Sequence, residues 1–200
     1  MTAPTFLVTL EEVKKHLNKA DFLDDEELQG FIDAATPMVE NIYGPVINRT
    51  ITEYQSGGTS TLVLNYLPIL SITSIIETYG QTNYTLTRVN LGDINNGFAY
   101  TCDLPQGRIV RRAYNAEANF PTGRDNVQII YVVGCASIPS NVRLGTLMLI
   151  AHLWTTSQLN RNGNRPSLGG DDSFTPGMGF AVPNRVKEIL QASPRVPGVA

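Results

Sequence analysis

Two histidines, two cysteines and a few clusters of charge are the residues of this 200-residue chain whose types could do chemistry. His16 and His152 fall in separate helical patterns with no cysteine or carboxylate at ligand spacing, which gives a zinc site no footing. His152 lies inside the apolar run 147–154 and is expected to be a hydrogen-bonded core residue. Asp93-Ile94-Asn95-Asn96-Gly97 opens like a calcium loop but lacks the glycine at the sixth position and the closing glutamate, so a tight turn accounts for it better. Asp24, Asp25, Glu26 and Glu27 set four carboxylates in a row. Adjacent helix positions point in different directions, however, whereas an acid-base pair must converge. Arg108, Arg111 and Arg112, with Tyr114 nearby, form a basic cluster that could touch nucleic acid, although a strand edge blunted by charge is the more ordinary account. No phosphate-cradling glycine loop, nucleophile elbow or HExxH motif occurs. The residues therefore predict no enzyme, no metal and no cofactor.

The elements that must position these residues follow from hydrophobic period. Thr9-Leu10-Glu11-Glu12 is a capping box, and Leu10, Val13 and Leu17 recur at helical spacing behind it. The acidic run 24–27 suits the positive end of a second helix. Its apolar face is Leu28, Phe31, Ile32, Ala35, Val39 and Ile42, with a kink expected at Pro37 and a stop at Gly44-Pro45. From residue 47 the period becomes alternating, and 51–54, 61–65, 72–78, 84–89, 98–102, 108–113 and 127–133 read as short strands of a compact sandwich or barrel. Ser140 is the expected N-cap of the most apolar helix in the chain, which carries Val142, Leu144, Leu147, Met148, Ala151, Leu153 and Trp154. A Gly-, Asn- and Pro-rich loop at 160–182 leads to a last helix that starts after Pro183 and presents Val186, Ile189 and Leu190 on one face.

The fold class expected is thus α+β. A helical bundle core is formed by N-terminal and C-terminal helices, residues 1–46 and 138–200, with flexible loop 160–182 and a C-terminal tail. A small antiparallel β domain, residues 47–137, is inserted in it.

Charge narrows the function classes further. Fifteen lysines and arginines against eighteen acids give a net charge of -3, the wrong sign for a chain built to neutralise many phosphates. Nine of those acids but only Lys14, Lys15 and Lys19 lie in residues 1–40, so the chain is dipolar along its length, a distribution suited to stacking against copies or partners of opposite polarity. Residues 1–8 lack the pattern of a signal peptide, and the longest apolar run is far short of a bilayer span, so a soluble protein without a membrane partner is expected. Cys102 and Cys135 are expected to be reduced, buried thiols.

The order of several short words adds a resemblance. Leu7-Val8-Thr9-Leu10-Glu11-Glu12-Val13-Lys14-Lys15-His16-Leu17 opens the series, and Ala34-Ala35-Thr36-Pro37-Met38-Val39-Glu40-Asn41-Ile42-Tyr43-Gly44 follows it. Then come Leu67-Pro68-Ile69, Ile72-Thr73-Ser74-Ile75, Gly134, Ile138-Pro139 and Ala151-His152-Leu153-Trp154. In this order they resemble the head-to-tail connector, or adaptor, proteins of tailed bacteriophages. The resemblance implies a structural virion protein of the neck, made in the bacterial host cytoplasm and assembled as a homo-oligomeric ring of about a dozen copies, a dodecamer. Its partners would be the portal above and a stopper or tail-completion protein below, with double-stranded DNA passing through unread. It further implies that the C-terminal part reaches the portal. The residues expected there are Arg185, Val186, Ile189, Leu190, Arg195, Val196, Pro197 and Val199, while Asp24, Asp25, Glu26 and Glu27 are expected at the channel or at ring contacts. Two alternatives stand beside it. One is a nucleic-acid-binding module using Arg108, Arg111, Arg112 and Arg124. The other is a different neck or tail component such as a stopper or tail terminator, which the helical ends disfavour because those proteins are mainly β.

Overall fold

The computed structural model describes residues 6–90, 92, 93, 97–161 and 182–191. The chain is α+β and divides into two compact units, one of them Gly44–Ser137 and the other drawn from Thr2–Tyr43 and Ile138–Pro194.

Among the described residues the second unit holds four helices: α1 (Leu10–His16), α2 (Asp25–Tyr43), α3 (Ser140–Arg161) and α4 (Asn184–Leu190). The capping box at the start of α1 forms as its sequence demands. Thr9 Oγ1 accepts from the Glu12 amide at 3.3 Å while the Glu12 carboxylate accepts from the Thr9 amide at 2.8 Å. Along α2, Leu28, Ile32, Ala35 and Val39 are buried as their spacing predicts, and Thr36 and Tyr43 join them while Phe31 and Ile42 are half-buried. Thr36 is tolerated there because its hydroxyl donates to the Ile32 carbonyl at 2.9 Å. The helix is continuous through Pro37, which faces solvent. Ser140 proves to be the first residue of α3 rather than its N-cap. α3 packs against α1, α2 and α4, and Gly145 lets α4 approach: a Cβ there would lie 2.9 Å from Leu190 Cδ2.

The Gly44–Ser137 unit holds two sheets around one core. In the first, β1 (Arg49–Gln55) and β3 (Ile69–Tyr79) flank β9 (Val127–Val133), and β4 (Thr82–Thr85) closes the far edge beside β3. All its pairs are antiparallel, with Ile51 opposite Tyr131 and Ile75 opposite Ile129. In the second sheet β2 (Thr61–Val63), β7 (Arg108–Ala113), β6 (Ala99–Asp103) and β5 (Thr87–Arg88) follow in order, and β8 (Ala116–Glu117) also pairs with β7. One pair departs from the antiparallel expectation, since β5 runs parallel to β6. The run 84–89, read as a single strand, serves two sheets. Its Leu86 amide donates to Ile75 of β3, and the amides of Thr87 and Val89 then donate to Phe98, just before β6, and to Tyr100 within it. Buried Leu86 is the switch point.

Candidate functional site

The sequence singled out charged clusters, and the structure separates most of them into pairs. Of the four carboxylates at the start of α2, Asp25 meets Lys14 Nζ at 2.7 Å and Asp24 meets Lys19 Nζ. Asp24 holds the Lys19 ammonium above the usual lysine range. Glu27 accepts a hydrogen bond from Ser157 Oγ at 3.2 Å, and Glu26 is exposed. These carboxylates therefore tie α1, α2 and α3 to one another instead of forming one acidic surface, and no two of them converge for acid-base work. Lys19 Nζ also lies 4.3 Å above the Trp154 ring, and Lys14 Nζ lies 4.3 Å above Phe22.

The basic cluster on β7 is likewise divided, by the two-residue period of the strand. Arg111 shares a face with Ile109 and is turned into the core, where its Nε and Nη2 donate to both carboxylate oxygens of Glu77 on β3 at 2.7 and 2.8 Å. That bond raises the Arg111 pKa, so the guanidinium stays charged while buried. Arg112, on the opposite face, donates to the Asn115 carbonyl at 2.7 Å, and Arg124 stands exposed beside Asp125 at 3.5 Å. A nucleic-acid surface built on Arg108, Arg111, Arg112 and Arg124 loses its central member to the core.

In α4, Arg185 is exposed and Ile189 half-buried, whereas Val186 and Leu190 are buried within the helical unit. Asn141 Nδ2 of α3 donates to the Ile189 carbonyl at 3.2 Å. Val186 and Leu190 thus hold α4 in place and are not presented for docking. Arg195, Val196, Pro197 and Val199, together with most of the 160–182 loop, lie outside the described residues.

Two buried acids escaped the sequence reading. Glu53 on β1 accepts from Tyr131 Oη at 2.6 Å, from Gln55 Nε2 at 2.6 Å and from Asn65 Nδ2 at 2.5 Å. Burial and the neighbouring Glu53 push the Tyr131 phenol pKa far above its ordinary value. Glu77 is the other. The signal for both was strand parity, since Glu53 and Glu77 stand two residues from Ile51 and Ile75 on the core-facing side. Both carboxylates are fully engaged, a structural arrangement without a substrate-facing atom.

Among the described residues no group of three or more His, Cys, Asp or Glu could hold a metal ion, and no helix is long and apolar enough to cross a membrane. His16 is exposed and His152 half-buried. Cys102 and Cys135 are half-buried where full burial was expected, and burial pushes the Cys102 thiol pKa up. Asp93 accepts from the Asn90 amide at 2.8 Å, the short-range bond of a turn. Residues 94–96 of the calcium-like stretch lie outside the described set. What the surface offers instead is apolar: Phe22 and Leu23, between α1 and α2, are 82% and 91% exposed.

A family model described as head completion protein matches residues 6–195. The fold is shared with solved chains of two particles. One, from the neck of an empty gene transfer agent particle computed with six-fold symmetry, has a TM-score of 0.52 at 16% identity, covering 95% of this chain and 92% of that one. The other, from the virion of a native gene transfer agent particle, has a TM-score of 0.56 at 15% identity, covering 100% of this chain and 95% of that one. No curated protein matches the chain.

Proposed function

This chain belongs to the head completion protein family, and we propose that within the virion neck it acts as a head-to-tail connector. Its copies close into a ring of about a dozen subunits under the portal, prolong the DNA channel and join the capsid to the tail. A stopper or tail-completion protein sits below. The protein is made in the bacterial host cytoplasm and takes its place in the virion.

The observation that carries this reading is the extent of the family match, residues 6–195, which takes in both compact units. The internal chemistry supports it. The buried acids Glu53 and Glu77 are engaged by Tyr131, Asn65, Gln55 and Arg111, so the ionisable interior serves cohesion and leaves function to surfaces. In this arrangement the helices of 1–46 and 138–200 form a bundle that carries the ring contacts, and 47–137 is an inserted β domain. Low positive charge lets a duplex slide without sticking, and exposed Glu26 is the member of the acidic run best placed to face DNA. Portal docking falls to Arg185, Ile189 and the segment 192–200, with Val186 and Leu190 as the anchor of α4.

Native mass measurement of the protein alone and after mixing with portal purified from the same phage tests the proposal. A discrete ring bound to portal is expected, and deletion of 193–200 is expected to weaken it. A chain that neither binds portal nor assembles beside it refutes the reading. A filter-binding assay at low salt is expected to show no retention of duplex DNA; tight retention would favour the nucleic-acid-binding alternative.

A further inference from the structure

The outward backbone groups of a sheet edge need partners, and proteins ordinarily blunt such an edge with lysine, proline, a bulge or a covering side chain. The edges of the Gly44–Ser137 unit differ in this respect. On β2 the outward carbonyls of Thr61 and Val63 accept from Thr59 Oγ1 at 2.9 Å and Gln55 Nε2 at 2.7 Å. β1, at one edge of the other sheet, is left open. The phase of the ladder shows which of its groups point outward. The amides of Thr78 and Gly134 donate to Asn126 and Pro68, so even-numbered positions in line with β9 bond towards β3, and odd-numbered ones bond towards β1, as Cys135 does to Val46. With Ile51 opposite Tyr131, the odd residues of β1 are taken up by β9. The amides and carbonyls of Thr50, Thr52 and Tyr54 then face away from the sheet, with no partner among the described residues, and all three residues are exposed. β1 pairs with β9 along its whole length without a register shift, carries no proline or lysine, and turns its one internal charge, Glu53, into the core.

β4, the opposite edge of the same sheet, is open in the same way. Leu86 donates to Ile75, so the even residues of β4 are turned to β3, while Asn83 and Thr85, both exposed, direct their backbone groups outward. We propose that β1 of one copy pairs with β4 of a neighbouring copy, so that the four-stranded sheet continues from subunit to subunit. The assignment rests on the ring reading given above and adds a main-chain contact to those assigned to the helices. Three observations select a second copy. In the order β1-β9-β3-β4 every pair is antiparallel, so β1 and β4 run in opposite senses, and a neighbour set alongside in the same orientation meets β1 with an antiparallel strand. The side chains brought together, Thr50, Thr52 and Tyr54 against Asn83 and Thr85, all lie on the face away from the core and include no charge to repel another. The chain, finally, offers no strand of its own for the place: 162–181 and 192–200, outside the described residues, carry two prolines each, and the first also five glycines, compositions that do not hold a ladder. β1 against β1 would stop at a dimer, whereas β1 against β4 is head-to-tail and propagates, closing into a ring if the rotation permits.

Hydrogen exchange on the full-length chain, as dilute subunit and in rings assembled with purified portal, tests the pairing. The amides of Thr50, Thr52, Tyr54, Asn83 and Thr85 are expected to exchange freely in the subunit and at least about tenfold more slowly in the ring. A charge exchange tests it independently. Thr52→Lys with Thr85→Lys, both on exposed side chains, is expected to leave the thermal midpoint within about 2 °C of wild type while weakening each subunit contact about fivefold, and Thr52→Lys with Thr85→Glu is expected to restore it. Rings in which 49–55 exchange as in the free subunit overturn this contact and leave the connector reading standing. Protection at 49–55 without protection at 82–85 does the same, and assigns the β1 edge to a strand of the portal or to a second β1. Equal ring affinity in the two charge variants also overturns the contact. A wild-type chain that stays monomeric with portal refutes both readings.

Discussion

Replacing Arg111 by methionine asks whether the two-sheet unit depends on a compensated buried charge or on shape alone. Methionine keeps much of the alkyl stem and removes both donors to Glu77, whose side chain is 1% exposed. No other hydrogen-bonding side chain is seen on that carboxylate among the described residues, and the strand holds it in the core. Stranding a charge in this way costs about 3–5 kcal/mol. For a chain of this length each kcal/mol lowers the melting midpoint by about 2–4 °C, so the single variant is expected to melt about 6–20 °C below wild type. The informative partner is Arg111→Met with Glu77→Leu. An apolar pair of similar volume removes the desolvation cost together with the attraction, and the double variant is expected to fall within about 2 kcal/mol of wild type in either direction. Far-ultraviolet circular dichroism followed through heat and urea at neutral pH measures all three proteins. A single variant within about 1 kcal/mol of wild type, or a double variant as damaged as the single, refutes the argument.

Other substitutions probe separate links. Tyr131→Phe removes the donor 2.6 Å from Glu53 and is expected to cost about 1–3 kcal/mol by chemical denaturation. Because the Tyr131 pKa is raised on folding, its contribution is complete below the ordinary phenol value of 10.0 and is lost as pH rises beyond it. Wild type should therefore lose stability in alkali more steeply than the phenylalanine variant, and parallel pH profiles would contradict this. Thr9→Ala is expected to cost about 1 kcal/mol and to speed hydrogen exchange in the first turn of α1. Gly145→Ala forces a methyl group to within 2.9 Å of Leu190 Cδ2, in a side chain too buried to yield; a loss of about 1–3 kcal/mol is expected, with faster tryptic cleavage at Arg185 and Lys187.

Where local rules act alone, the sequence was legible to the residue. The Thr9–Glu12 box needs only four consecutive side chains, and β7 and β9 occupy 108–113 and 127–133 as short β-branched-rich runs bounded by turn residues. Legibility failed where tertiary pairing decides. Nothing local to 84–89 announces that the run leaves one sheet at Leu86 and joins the other in parallel. Arg111 was read as part of a charged strand edge because charge normally overrides parity, and Glu53 and Glu77 drew no reading; an ion pair or a hydrogen-bond cage reverses that order, and the deciding partners, Arg111 for Glu77 and Tyr131 for Glu53, lie 34 and 78 residues away along the chain. The candidate surfaces suffered similarly. Val186 and Leu190 were read correctly as one apolar face, but sequence does not say whether such a face meets its own chain or another.

Trp154 is the chain's sole tryptophan, and it sits in the helical unit with Lys19 Nζ 4.3 Å above its ring and Phe31 edge-on at 6.4 Å. Selectively excited indole emission consequently reports on the helices while the Gly44–Ser137 unit stays dark. An ammonium so close is expected to perturb that emission. Any event that pulls the α1–α2 connection away from α3 should then change brightness and colour together, giving an unlabelled optical gauge of rearrangement among the helices.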